Sequence, residues 1–286
     1  MPYPKPLTAR DIAAHTPALK KIPARTARVT GLLAIAVLAA MLAGCASQAP
    51  DISLIPTQTD AVTSQDGLFV QPVKWERTKP DCRGDCPRLS VDSVVFPGVQ
   101  RLTDLVDHAL AMMTGVGEQR VPPYATIAEF EQYFWKTAGP RDEVMLAAKA
   151  RYRNRYLTVI ELNSGQYFTG AAHGITTTQF LNWDNASGRV LDIDDIFEPG
   201  GWERFVALLE QAHRQWVNST PEAREDPEAW LRLWPFQPTT NIALVDIGVV
   251  AKYGSYEIAP YSSGQPELRI PYSQLAGILK PQYLPN

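Results

Sequence analysis

The chain has 286 residues, with 27 Lys and Arg against 30 Asp and Glu, a formal charge of −3. That length holds one large domain or two small ones. An acidic balance argues against a nucleic-acid partner, which selects basic faces.

Lys20, Lys21, Arg25 and Arg28 precede a run without charges, Val29 to Gly44. The run is shorter than the roughly 20 apolar residues of a membrane-spanning helix, so residues 1–44 read as a secretory leader. The quartet Leu42-Ala43-Gly44-Cys45 closes it and resembles the lipobox of bacterial lipoproteins. The resemblance implies cleavage before Cys45 and a lipid on its sulfur, which holds the chain to a membrane. Ala46 after the cysteine fits an outer membrane, with the domain in the periplasm. An ordinary cleaved signal with a chance cysteine is the alternative. The leader carries six Lys/Arg and one Asp, so its removal leaves 21 basic and 29 acidic side chains and a charge of about −8. Such a surface suits a cationic protein or a neutral glycan, and also keeps a periplasmic protein soluble.

Residues 45–80, rich in Ser, Thr, Gln, Asp and Pro, read as a tether, with structure beginning near Cys82. Cys82 and Cys86 are expected to pair in an oxidising compartment. A metal at Cys-x-x-x-Cys is the alternative, against which no further Cys or His stands nearby. A strand is expected over Leu89–Phe96, stopped by Pro97-Gly98. A helix follows with Leu102, Val106, Leu110 and Met113 on one side, and another starts at Thr126. Val144–Tyr152 and Tyr156–Leu162 read as paired strands. The Arg-rich turn between them reads as a solvated tip, with a functional basic patch as the alternative. Thr176–Trp183 and Val190–Ile193 flank a turn-forming run, and Asp194 or Asp195 caps a short turn through Phe197. Trp202–Val217 is the clearest helix. The stretch Pro221–Pro238 holds Trp230, Leu233, Trp234 and Phe236, which cover the core or form an aromatic patch, the first being favoured. Strands are expected at Asn241–Val245, Gly248–Lys252 and Glu267–Pro271, then a short helix Tyr272–Leu279. Mixed order without regular βαβ alternation predicts an α+β fold, a mostly antiparallel sheet with helices packed on one face.

No nucleophile elbow, phosphate loop or metal-ligand spacing occurs, so no catalytic residue, metal or cofactor is expected. His108 and His213 read as helix-flank residues. Two stretches are harder to explain as scaffold. In Tyr167–Thr176, Gly170 and Gly174 bracket small residues and His173, a bare backbone suited to close approach. In Tyr253–Gly264, Tyr256, Pro260, Tyr261 and Ser262 combine contact area with adaptable polar groups. Packing of these tyrosines under the loop is the other reading.

These residues also carry a resemblance. Ala172-His173-Gly174, Asn182-Trp183-Asp184, Gly188-Arg189-Val190-Leu191, Asp195-Ile196-Phe197, Tyr256–Gly264 and Ile270-Pro271-Tyr272 are similar to domain of unknown function 3298, the extracytoplasmic domain of the anti-sigma factor RsiV. Residues 81–164 resemble, more weakly, the domain that precedes it there and in the deacetylase PdaC, leaving 165–286 as the RsiV-like part. In RsiV the pair binds lysozyme and blocks its cleft. The sequence lacks the sigma-binding and deacetylase parts, so those roles are not expected to transfer. What the resemblance implies here is binding: a lipid-anchored envelope protein, not an enzyme, that takes a lysozyme-type muramidase through His173, Gly174, Tyr256, Pro260, Tyr261 and Ser262 and, in the fuller version, inhibits it. A peptidoglycan or other glycan-binding module is the alternative.

Overall fold

A computed structural model describes residues 69–115 and 122–285. The expected leader, the lipidation site Cys45 and most of the tether lie outside them. The tether's last part is a strand instead. β1 (Gln71–Thr78) pairs antiparallel with β2 (Arg88–Val95), from Gln71↔Val95 to Thr78↔Arg88. Trp75 packs against the core from this strand, while Pro72, Lys74 and Glu76 face solvent, the composition of a protected edge. The Cys82–Cys86 disulfide is formed, with Cα atoms 5.9 Å apart, and closes the β1–β2 connection.

Pro97-Gly98 ends β2, and the chain crosses through α1 (Gln100–Met112) and α2 (Ile127–Thr137) to β3 (Glu143–Arg153). Thr126 caps α2 by accepting from the Glu129 N–H at 3.2 Å, and the Glu129 carboxylate accepts from the N–H of Ala125, just before the cap, at 2.7 Å. Because helices make this crossover, β2 and β3 run parallel. β4 (Leu157–Tyr167), β5 (Ile175–Asp184) and β6 (Arg189–Val190) then join antiparallel, giving the order β1-β2-β3-β4-β5-β6. The expected subdomain boundary at residue 164 falls inside β4, and the sheet runs continuously across it. Three helices follow: α3 (Ile193–Ile196), α4 (Gly201–Ser219) and α5 (Pro227–Leu233). Asp195 accepts from the Asp192 N–H at the start of α3 and pairs with Arg189. A second antiparallel sheet holds β7 (Ile242–Val245), β8 (Gly248–Lys252) and β9 (Glu267–Pro271). The expected helix over Tyr272–Leu279 is a 3-10 turn at Tyr272–Gln274 followed by further turns. Gly277, at φ +69°, leaves the helical region there. The fold is α+β with mostly antiparallel sheet.

β4 is buried on both faces, and its alternation feeds two cores. Ile160 and Leu162 face α1 and α2, with Leu102, Leu110 and Phe130. Leu157 and Val159 face the second sheet, with Val249, Ile270 and Phe205 of α4. Polar side chains join the two sheets. Asn182 donates to Ile242 O at 2.8 Å and accepts from Leu244 N at 2.9 Å. Asn241 accepts from Phe180 N at 2.7 Å and donates to Thr178 O and Lys252 O. These amides satisfy backbone groups that strand pairing leaves open. Deeper in, Glu161 of β4 is 1% exposed and pairs with Lys252 of β8 at 2.5 Å. Arg151 sits at the β-bulge between Ala150 and Tyr152. The bulge aims it at Glu161 (3.1 Å) and at Glu267 of β9 (2.7 Å). Part of the expected solvated Arg cluster is thus structural.

Candidate functional site

The two unusual loops meet. The β4–β5 loop is pinned at its start by Asp142, which accepts from Thr169 N and Oγ1 (both 2.7 Å) and from Gly139 N (2.9 Å). Burial opposes ionisation of Asp142, but the donors of Thr169 and Gly139 outweigh it and hold the carboxyl below the usual range. At Gly174 a Cβ would lie 3.0 Å from Gln166 O, so only bare backbone passes there easily.

The loop after β8 is built on Tyr253. Its ring is fully buried and its hydroxyl donates to Gln237 O at 2.9 Å, and burial pushes its pKa up. The loop closes through Gly254 N–H to Glu257 Oε2 (2.8 Å), and burial raises the Glu257 carboxyl. Ser255 Oγ lies 3.1 Å from Thr176 Oγ1 on β5, which ties this loop to the first. Tyr256 then adopts φ +71°, a left-handed conformation that costs a side chain about 1–2 kcal/mol. Tyr261 opens a 3-10 turn, Tyr261–Ser263.

His173 stands between the tyrosines. Its ring centroid lies 4.5 Å from Tyr261 and 5.9 Å from Tyr256, and the two tyrosine rings are 5.7 Å apart. Nδ1 lies 2.8 Å from Gly174 O, which can only accept, so Nδ1 carries the proton of the neutral ring. Nε2 is left to accept from the Tyr256 hydroxyl at 3.2 Å. Trp234, just past α5, adds a fourth ring 6.1 Å from Tyr256. His173, Tyr261 and Ser262 are exposed; Gly174, Tyr256, Pro260 and Trp234 are half-buried. All six expected binding residues therefore lie on two adjoining loops, with His173, Tyr256 and Tyr261 in direct contact.

Trp234 joins them through a link no sequence pattern announces, the Tyr253–Gln237 hydrogen bond beside its segment. Its neighbours go elsewhere. Phe236 packs on the second core, Trp230 turns to Trp216 at 6.4 Å, and Leu233 is 74% exposed. His173 is partnered by a phenol and a peptide carbonyl rather than a carboxylate. Among the described residues no group of three His, Cys, Asp or Glu could hold a metal ion. What the surface offers is ring faces, an imidazole and hydroxyls, held at fixed spacing.

A mixed six-stranded sheet, backed by two helices on one face and a small antiparallel sheet on the other, with an aromatic loop cluster at one end, defines the architecture. Residues 194–273 match the family described as "Protein of unknown function (DUF3298)", which includes Tyr256 and Tyr261 but not His173. The crystal structure of a DUF3298 family protein from Pseudomonas aeruginosa PAO1 is 37% identical, covers 77% of this chain and 98% of that one, and superposes with a TM-score of 0.71. A family member from Bacteroides fragilis NCTC 9343, 24% identical, covers 75% and 94% with a TM-score of 0.58 and shares the fold. The chain belongs to the DUF3298 family. No curated protein matches it.

Proposed function

We propose that this is a lipid-anchored protein of the bacterial envelope, without catalytic activity, that binds a lysozyme-type muramidase through the His173–Tyr256–Tyr261 cluster and inhibits it by covering its cleft. The observation that carries the reading is the convergence of Tyr256, Tyr261 and His173, from loops more than 80 residues apart, on one surface whose central tyrosine is held at φ +71°. Tyrosines fixed in advance lose little freedom on binding and are common interface anchors. The charge of about −8 left by leader removal complements a basic enzyme. The resemblance to the RsiV domain points to the same partner class. Trp234 beside Tyr256 favours a second reading, stacking on the sugar rings of peptidoglycan.

Retention of the purified protein on immobilised lysozyme, compared with sedimentation on insoluble peptidoglycan, separates the two. Saturable retention on lysozyme, with slower muramidase lysis, is expected. Co-sedimentation with peptidoglycan and no retention on lysozyme would replace the first reading by the second. For the anchor, Cys45→Ser is expected to leave the membrane fraction or remain unprocessed; unchanged mass and fractionation would remove that part.

A further inference from the structure

His213 lies in the middle of α4, fully buried, and neither ring nitrogen has a hydrogen-bond partner. Such a group in a core calls for a reason. The ring sits between Trp216, 6.1 Å away and nearly parallel at 18°, and Phe236, 5.8 Å away. The Ile258 backbone lies beside it, short of a hydrogen bond. Phe236 and Ile258 belong to the two segments that carry the recognition surface. Phe236 follows Trp234 by two residues, and Ile258 stands between Tyr256 and Tyr261. Tyr253 ties the same two segments together through Gln237 O. His213 is therefore a point at which α4 meets both.

A neutral imidazole fills such a site as a small aromatic body. An imidazolium there would be a buried charge without a counter-ion. On α4 its charged neighbours are Glu210 and Arg214, opposite in sign and paired with each other at the surface (2.8 Å). In the loop above, the Tyr253 hydroxyl is taken by Gln237 O and the Glu257 carboxylate by Gly254 N. On β9, which also packs on α4, Glu267 is paired with Arg151 and Arg269 is exposed. The Trp234–Gln237 stretch carries no ionisable side chain. Burial, and after it the Arg214 charge, holds the imidazole below its ordinary range, with Glu210 and the Ile258 backbone opposing.

We propose that His213 is an acid-operated release for the recognition surface: protonation drives Phe236 and Ile258 off α4, and Trp234, Tyr256 and Tyr261 lose their arrangement with them. The release rests on the binding reading above for its consequence, not for its chemistry. The folded state favours the neutral ring, so packing is fully favoured above pH 6.5, the ordinary value, and weakens as pH falls through the lower folded value.

The test follows the purified protein from about pH 7.5 to 5, across the histidine range, by near-ultraviolet circular dichroism of the aromatic cluster and by affinity for lysozyme. The wild type is expected to lose both in acid, affinity falling by about tenfold for each pKa unit between the packed and released imidazole. His213→Phe, or His213→Leu if the larger ring does not fit, is expected to keep both. A folded His213 variant that titrates like the wild type would overturn the proposal, as would a loss that disappears in His173→Asn and not in the His213 variants. If the dichroism responds in the wild type alone while lysozyme binds at no pH, the release stands and the partner reading fails.

Discussion

Glu161→Gln tests the polar joint between the two sheets. Glu161 is 1% exposed, its carboxylate reached by Lys252 (2.5 Å), Arg151 (3.1 Å) and Lys149 (3.3 Å). Burial opposes its ionisation, yet Lys252, Asn163 and Lys149 outweigh burial and bring the carboxyl from 4.5 down to about 2. At about 1.4 kcal/mol per unit, that difference stabilises the fold by about 3 kcal/mol. Removing one partner of a buried pair gives an independent figure of about 3–5 kcal/mol. Lys252, 8% exposed, keeps Glu267 at 3.8 Å in the variant, which favours the lower end. The sign is fixed by the direction of the shift. The carboxylate contributes fully above pH 4.5 and loses its contribution as pH falls toward about 2. Urea unfolding of wild type and Glu161→Gln near neutral pH is therefore expected to differ by about 3 kcal/mol. In acid that gap closes, because both proteins then carry a neutral group. A cost below about 1 kcal/mol, the level of a surface pair, or a gap unchanged in acid, would refute the reasoning.

Two further outcomes follow from particular residues. Tyr256 at φ +71° reverses the usual order of substitutions: Tyr256→Gly is expected to melt higher than Tyr256→Ala, by about 1 kcal/mol in stability, and equal or inverted melting would show the conformation is not strained. Asn182→Ala leaves Ile242 O and Leu244 N buried without partners and is expected to cost about 3 kcal/mol in denaturant unfolding, at 1–3 per orphaned group; a cost near zero would mean the sheets do not depend on the amide.

The parts of the fold that read clearly in the sequence are those whose signals are local. Leu102, Val106 and Leu110 mark α1 by period, Thr126 marks the start of α2, and the run at Asp184–Gly188 marks the β5–β6 turn. β1 was hidden because an edge strand needs little apolar surface and Trp75 alone anchors it among Pro, Lys and Glu. The expected last helix gives way to turns because Gly277 permits turns that bury Leu275, Ile278 and Leu279 and pack the half-buried Tyr272 beside them. Asn182, Asn241 and Glu161 carry no local signal of their role in joining the sheets. The partners that join the sheets, Ile242 and Leu244 for Asn182, Phe180 and Thr178 for Asn241, and Lys252 for Glu161, lie 60 or more residues away, on strands whose placement the sequence does not disclose. The candidate site was legible from the bareness of Gly170–Gly174, the tyrosines of the second loop and the family resemblance. That the loops touch, and that Trp234 joins them, depends on the seat of Tyr253 and on the Thr176–Ser255 contact.

Calorimetric titration of lysozyme into wild type and Tyr261→Ala tests the binding reading most directly. Tyr261 is 36% exposed and its ring lies tilted against His173 at 4.5 Å, so its removal spares the core. The wild type is expected to bind saturably. Tyr261→Ala is expected to bind about 30-fold more weakly, the equivalent of roughly 2 kcal/mol at an anchor, with an unchanged melting temperature. No binding by the wild type, or equal affinity in a folded Tyr261→Ala, would contradict it.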